Sequence, residues 1–411
     1  MLLQRVNCRR FLFVPNIIKE TVLKSSKAAF TGKIFIIFTI SAFFYGCSWF
    51  SSEKRSVEPK ELKDINVTVD AKVTESYDLS GDILRGEVFL NPVVNNEAVY
   101  AAGKEGDVVA INANSGNVVW EKDTETQLSG GIAICENQLV LGSRDGELLF
   151  INIQNGDIEW KGTVASEILS VPQCKDNLII VRSVDGAITA FDKTKKKVKW
   201  VFERDIPSLT LRGLSNPVIK NGDVIAGLDN GRLVAIDLQT GALKADIPVA
   251  IGRGRSDIER MVDIDGRISV TEESVVIASF GGNVTAISRR NGRPAWQRKI
   301  SSYTGIVDSV NNLYIVDDKS KIWALDRSNG ASLWLMDDFY GRQLSAAAVV
   351  GSNIVVGDYE GYLHIIDKNN GNIVGRIRAS GDAIILPPVV DKSMVFLTDS
   401  SGDLIQVEIK E

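Results

Sequence analysis

The sequence predicts an all-β fold, an eight-bladed β-propeller of four-stranded antiparallel blades whose ring is closed by an N-terminal strand. Three observations carry that expectation. One pattern recurs eight times at intervals of roughly forty residues. Each copy alternates short, branched apolar runs with turn residues, and no stretch of helical periodicity interrupts the array. A repeat of that length holding about four short strands is the signature of a propeller blade.

The clearest copies are VYAAGKEGDVVAINANSGNVVW (99–120), LVLGSRDGELLFINIQNGDIEW (139–160) and VVIASFGGNVTAISRRNGRPAW (275–296). A turn glycine marks each repeat at Gly106, Gly146, Gly186, Gly231, Gly282, Gly361 and Gly402, with Ser320 replacing it once. Six residues on, a polar residue closes the next strand: Asn112, Asn152, Asp192, Asp237, Ser288, Asp326, Asp367 and Glu408. Ten residues beyond the marker a second Gly recurs at Gly116, Gly156, Gly241, Gly292, Gly330 and Gly371. Fourteen beyond it stand Trp120, Trp160, Trp200, Trp296 and Trp334, five of the seven Trp in the chain. Gly accepts positive φ and short Asx side chains bond the backbone two residues on, so both belong at tight hairpin turns. Between marker and polar residue run DVVAI, ELLFI, AITAF, RLVAI, NVTAI, KIWAL and YLHII. Such near-continuous apolar runs fit strands covered on both faces.

The last copy ends at Glu411 after its second recognisable strand, which leaves a blade one strand short. An unpaired edge invites aggregation, so the alternating segment 65–79 is expected to supply the missing strand.

The amino terminus reads differently. Lys24, Lys27 and Lys33 precede IFIIFTISAFFYG, an apolar stretch short for a membrane span and suited to a signal-peptide core. Its end, Gly46-Cys47-Ser48, resembles the lipobox of bacterial lipoproteins, although Phe44 and Tyr45 depart from the aliphatic and small residues favoured there. The resemblance implies a signal peptide over 1–46 and lipidation at Cys47, with Ser48 matching lipoproteins sent to the outer membrane. Residues 47–64 read as a flexible tether from the lipidated Cys and 65–411 as the propeller.

Removing residues 1–46 takes away seven Lys or Arg and one Glu, so the formal charge of −5 becomes about −11. That balance disfavours nucleic acid as a partner. Cys135 and Cys174 fall at nearly equivalent places in adjacent repeats. Equivalent points on neighbouring blades are expected to lie beyond disulfide reach, so two buried free thiols are anticipated. No catalytic residues and no metal site are expected. The single histidine, His364, sits inside the strand YLHIID with no nucleophile elbow in view, and one His with two dispersed Cys does not make a zinc site. Asp145, Asp185, Asp229 and Asp358 recur at one hairpin turn, where Asp has a backbone role.

The G-x-[LV]-x-[AF]-[IF]-[DN]…G-x-x-x-W repeat resembles that of quinoprotein propellers, the dehydrogenases that bind pyrroloquinoline quinone. The likeness implies the fold, while activity would need a site of its own. Adjacent Cys residues, which many of those enzymes pack on the quinone, do not occur here, so a periplasmic quinone-dependent dehydrogenase stands as the alternative and no cofactor is expected.

The leader followed by eight such repeats is very similar to the BamB family of outer-membrane assembly lipoproteins. That resemblance implies a non-enzymatic scaffold, lipid-anchored to the outer membrane with its propeller in the periplasm, that binds a POTRA domain of BamA. Two segments break the repeat, DIPSLTLRGLSNP (205–217) and GRGRSDIERMVDIDG (252–266). They match the family's docking loops, with their S-L-x-L-R-G and D-x-D cores, and imply contact through Leu209, Leu211, Arg212, Asp263 and Asp265. Leu209 and Leu211 alternate with polar residues, and so point one way from an extended loop as a small apolar anchor beside a bidentate donor. The other reading of the same residues is structural: a Leu pair packed between blades, with Arg212 bonded to Asp263. Exposed strand edges also offer an unfolded outer-membrane client a place to pair.

Overall fold

Eight four-stranded antiparallel sheets follow one another along the chain in a computed structural model, which describes residues 58–410 apart from 97, 208, 212–214, 253–254 and 257–259. Blade 3 shows the plan, with strands Gln173–Lys175, Leu178–Arg182, Ile188–Asp192 and Lys197–Phe202 in sequence order from the axis outward. The two middle strands are buried throughout, the first is half-buried and most of the last is exposed. That gradient explains the apolar runs, because the middle strands are sandwiched between neighbouring blades. The core lies in those seams. Ile180 and Ile188 of blade 3, for example, pack against Val224 and Val234 of blade 4. Each such side chain contributes about 1.5–3 kcal/mol by leaving water.

The ring closes as the sequence predicts. Asp70–Tyr77 pairs antiparallel with Leu404–Lys410, from Asp70 opposite Lys410 to Tyr77 opposite Leu404. Behind that pairing Phe396 and Leu404 of blade 8 meet Val99 and Ala101 of blade 1 in one cluster. The last part of the expected tether lies on the propeller: Lys60 N–H donates to Tyr340 O at 3.0 Å. Between closing strand and blade 1, the chain adds a two-residue strand, Phe89–Leu90, parallel to the inner strand of blade 2.

The Gly and Trp spacings are two halves of one contact. Trp120 of blade 1 donates its indole N–H to Ile153 O of blade 2 at 3.1 Å, and its ring lies against Gly156. A Cβ on Gly156 would sit 2.6 Å from that ring. The same pairing joins Trp200 to Leu238 O and Gly241, Trp296 to Arg327 O and Gly330, and Trp334 to Lys368 O and Gly371.

The expectation of free thiols is corrected. Cys135 and Cys174 form a disulfide with their Cα atoms 5.8 Å apart. Both lie on the innermost strands of blades 2 and 3, where the blades converge on the axis and neighbouring inner strands touch. Equivalent points are far apart only toward the rim, and sequence spacing carries no information on radius.

Candidate partner-docking site

The repeat is interrupted where the outer strand of one blade crosses to the inner strand of the next, between Lys197–Phe202 and Val218–Lys220, and between Leu243–Pro248 and Ser269–Val270. In the second connection Ile264 is fully buried in the cluster between blades 4 and 5, against Gly227, where a Cβ would lie 2.2 Å from its side chain. Asp263 and Asp265 flank Ile264 in the chain. Asp263 is 1% exposed and Asp265 8%.

The backbone N–H of Leu211 donates to Asp263 Oδ2, so the two interrupting segments are bonded to each other. Beneath them lies Arg182, wholly buried at the end of its strand, with Nη1 donating to Gly227 O at 2.7 Å and Nη2 paired with Asp229 Oδ1 at 2.5 Å. Three carboxylates therefore share the neighbourhood of one guanidinium. Burial pushes Asp263 up to about 7, and the charge of Asp229 adds to the rise against the opposing Leu211 N–H and Arg182. Burial lifts Asp265 well above the carboxylate range, reinforced by Asp263 and Asp229. Asp263 Oδ1 and both Asp265 oxygens have no hydrogen-bond partner among the described residues. This buried, acid-rich cluster is short of donors, so its carboxyl oxygens keep unmet hydrogen-bonding capacity. Among the described residues no cluster of His, Cys, Asp or Glu has the makings of a metal site.

The two connections also carry exposed apolar side chains. Leu209 is 41% exposed, Ile206 45% and Ile251 71%, while Leu211 is half-buried. Four of the residues singled out in the sequence, Leu209, Leu211, Asp263 and Asp265, thus belong to two segments joined directly by the Leu211–Asp263 bond. Arg212 and Cys47 lie outside the described residues. Sequence reasoning missed Arg182 and gave Asp229 only a turn role. The signal was present: four residues before the marker the other repeats carry Ala102, Gly142, Gly227, Ala278, Val316, Gly357 and Thr398, and Arg182 alone is charged. His364 is fully buried between Asp358 and Arg376, in keeping with a packed rather than a reactive residue.

A protein-family model described as "Outer membrane protein assembly factor BamB" matches residues 104–335. The outer membrane protein assembly factor BamB of Pseudomonas aeruginosa is 42% identical over 89% of this chain and 96% of its own length. That of Legionella pneumophila is 37% identical over 91% of this chain and 98% of its own. The crystal structure of BamB from Moraxella catarrhalis superimposes with a TM-score of 0.75 at 23% identity, covering 82% of this chain and all of that one. A quinohemoprotein alcohol dehydrogenase from Pseudomonas putida shares the fold with a TM-score of 0.65 at 13% identity, over 82% of this chain and 76% of that one.

Proposed function

The chain belongs to the BamB family of outer membrane protein assembly factors, and on that premise we propose that it is a non-enzymatic scaffold of the barrel-assembly machinery that docks onto the POTRA region of BamA. A signal peptide over 1–46 and lipidation at Cys47 place it on the periplasmic side of the outer membrane in this reading, with residues past Cys47 as its tether.

The observation that carries the docking site is the bond from Leu211 N–H to Asp263, which links the two segments that break the repeat. Docking needs a rigid presentation, and here the first segment, which has no strand among its described residues, is tied to a buried carboxylate. Leu209 and Leu211 supply the apolar contact, with Arg212 as a fork for a carboxylate or carbonyl, while the buried carboxylates of Asp263 and Asp265 serve docking from beneath, Asp263 by holding Leu211 in place. Quinone-dependent oxidation has only the shared fold in its favour, and a fold does not carry an activity.

The test is the affinity of the propeller for the POTRA segment of BamA from the same organism. Leu211→Asp and Arg212→Glu should each weaken binding by about 30-fold or more, the mark of a central contact, with thermal stability unchanged. Binding that survives both substitutions moves the site elsewhere, and no binding by a folded propeller rejects the assembly-scaffold reading.

A further inference from the structure

Blade 7 departs from the repeat at one informative place: Gly375 stands fourteen residues past Gly361, where five other blades carry Trp. Main chain fills the space. A Cβ on Gly375 would lie 2.5 Å from Val69 O, and the N–H groups of Thr68 and Val69 both donate to Val374 O, at 2.9 and 3.0 Å. Upstream, Leu62 packs on the cluster between blades 6 and 7. Arg342 Nη1 donates to Lys60 O at 3.2 Å and Arg376 Nη1 to Lys63 O at 3.0 Å.

Both arginines are held from behind. Arg342, 3% exposed, pairs with Asp358 at 2.7 Å, and Arg376 Nε donates to His364 Nδ1 at 3.1 Å. With Nδ1 accepting, Nε2 is the protonated nitrogen and donates to Asp358 at 2.9 Å. Burial keeps His364 neutral by lowering its pKa, against the pull of Asp358. Buried charge clusters are weak sources of stability, yet this one directs two side-chain donors at the carbonyls of residues 60 and 63.

Strand alternation gives the direction of exit. In an antiparallel four-stranded blade, the turn between second and third strands and the connection to the next blade emerge on one face. Tyr340 and Arg342 lie in the connection from blade 6 to blade 7, and Asp358 in the central turn of blade 7. The two segments of the docking site are connections of the same kind and share that face.

We propose that blade 7 is a mooring site for the N-terminal segment, and that it sends the preceding chain out of the face carrying the docking segments, so that this face is turned toward the lipid surface holding Cys47. The proposal rests on lipidation of Cys47. Thirteen residues separate Cys47 from Lys60, a reach of at most about 45 Å. Release as far as Val69 adds nine residues and about 30 Å of contour, enough to erase a preferred face.

The test uses the lipidated full chain on phospholipid vesicles, with a fluorophore at Asp145→Cys on the docking face or Val310→Cys on the opposite face, and acceptors on the headgroups. Transfer from position 145 should exceed that from 310 by at least about twofold, the faces being separated by a strand length of about 20 Å. Gly375→Trp fills the space that Val69 occupies, and Leu62→Asp removes the segment's apolar contact without altering the blades. Either should abolish the difference while vesicle binding persists. Equal transfer in the unsubstituted chain, or greater transfer from 310, overturns the mooring proposal. Failure to bind vesicles rejects lipidation, and the proposal falls with it.

Discussion

Trp160 and Lys196 face each other across the seam between blades 2 and 3, the Lys196 ammonium 5.8 Å from the indole centroid, at the position where the four other repeat tryptophans meet glycine. Lys196 keeps the glycine-like backbone, with φ of 50°, but carries a side chain where the ring would rest. Trp160 instead stacks on Phe150 of its own blade, with ring centroids 3.6 Å apart. The disulfide of Cys135 with Cys174 joins the same two blades. The covalent link thus falls on a seam that lacks the repeat's own clasp.

Restoring that clasp should make the disulfide less necessary. Lys196→Gly removes a strained φ and is expected to stabilise the fold by about 0.5–1 kcal/mol. Cys135→Ser with Cys174→Ser opens a link spanning 39 residues and should cost about 2–4 kcal/mol. In the Lys196→Gly background that cost should shrink, measured by denaturant unfolding of the four proteins. An equal loss in both backgrounds would show that the two features act independently.

The tryptophan clasp makes a sharper claim at Gly156. Its φ is +76°, and an added Cβ would meet the Trp120 ring at 2.6 Å, so Gly156→Ala should destabilise by about 2–3 kcal/mol through strain and displacement of the ring. Trp120→Phe removes the indole N–H and makes room. The double variant should therefore lose less than the sum of the single losses. Additive losses in thermal unfolding would place the cost in the backbone alone.

The periodic part of this fold was legible because each repeat writes its blade contacts twice, as Trp in one copy and Gly in the next. Closure by 65–79 was legible from the missing strand in the last copy. What spacing could not show was radius and cross-blade reach. Cys135 and Cys174 occupy nearly equivalent repeat positions, and only their place on inner strands brings them together. Residues 60–63 read as polar tether because their partners, Arg342 and Arg376, lie about three hundred residues away. At the candidate site the D-x-D pattern was visible, whereas its neighbours Arg182 and Asp229 were hidden among ordinary strand and turn residues.

Stability should depend on pH through Asp263. Its folded-state value of about 7 exceeds the unfolded value of about 4, so the folded protein takes up the proton more readily. The stabilisation from the protonated form is complete below about pH 4 and is lost as pH rises through 7. Asp263→Asn should reduce that dependence, leaving the part that Asp265 contributes, and raise stability at pH 8 by about 2 kcal/mol, since the amide has no charge to bury and its oxygen still accepts from Leu211 N–H. Melting curves from pH 4 to 9 test this. If the substitution destabilises at pH 8, the carboxylate is better satisfied than its orphaned oxygen implies. A gain in stability with a loss of POTRA affinity would instead mark Asp263 as a residue kept for binding at the expense of the fold.

Ile251 gives the docking surface its most direct test outside the residues found by resemblance. It is 71% exposed, lies near the start of the second connection, and adjoins Gly252, whose close approach to Arg260 O leaves no room for a Cβ. A large apolar side chain on a tightly folded loop costs solvation in the free protein, and a partner surface recovers that cost. Ile251→Asp should leave the melting temperature unchanged, since nothing in the core depends on the side chain. It should weaken POTRA binding by about tenfold or more, the scale of one buried aliphatic contact. Leu243, 42% exposed on the outer strand of blade 4, serves as the comparison, because it lies at the opposite end of its strand from the docking face. Equal losses from Ile251→Asp and Leu243→Asp would mean that apolar exposure alone governs binding, and would move the interface from the loop face to the blade's outer edge.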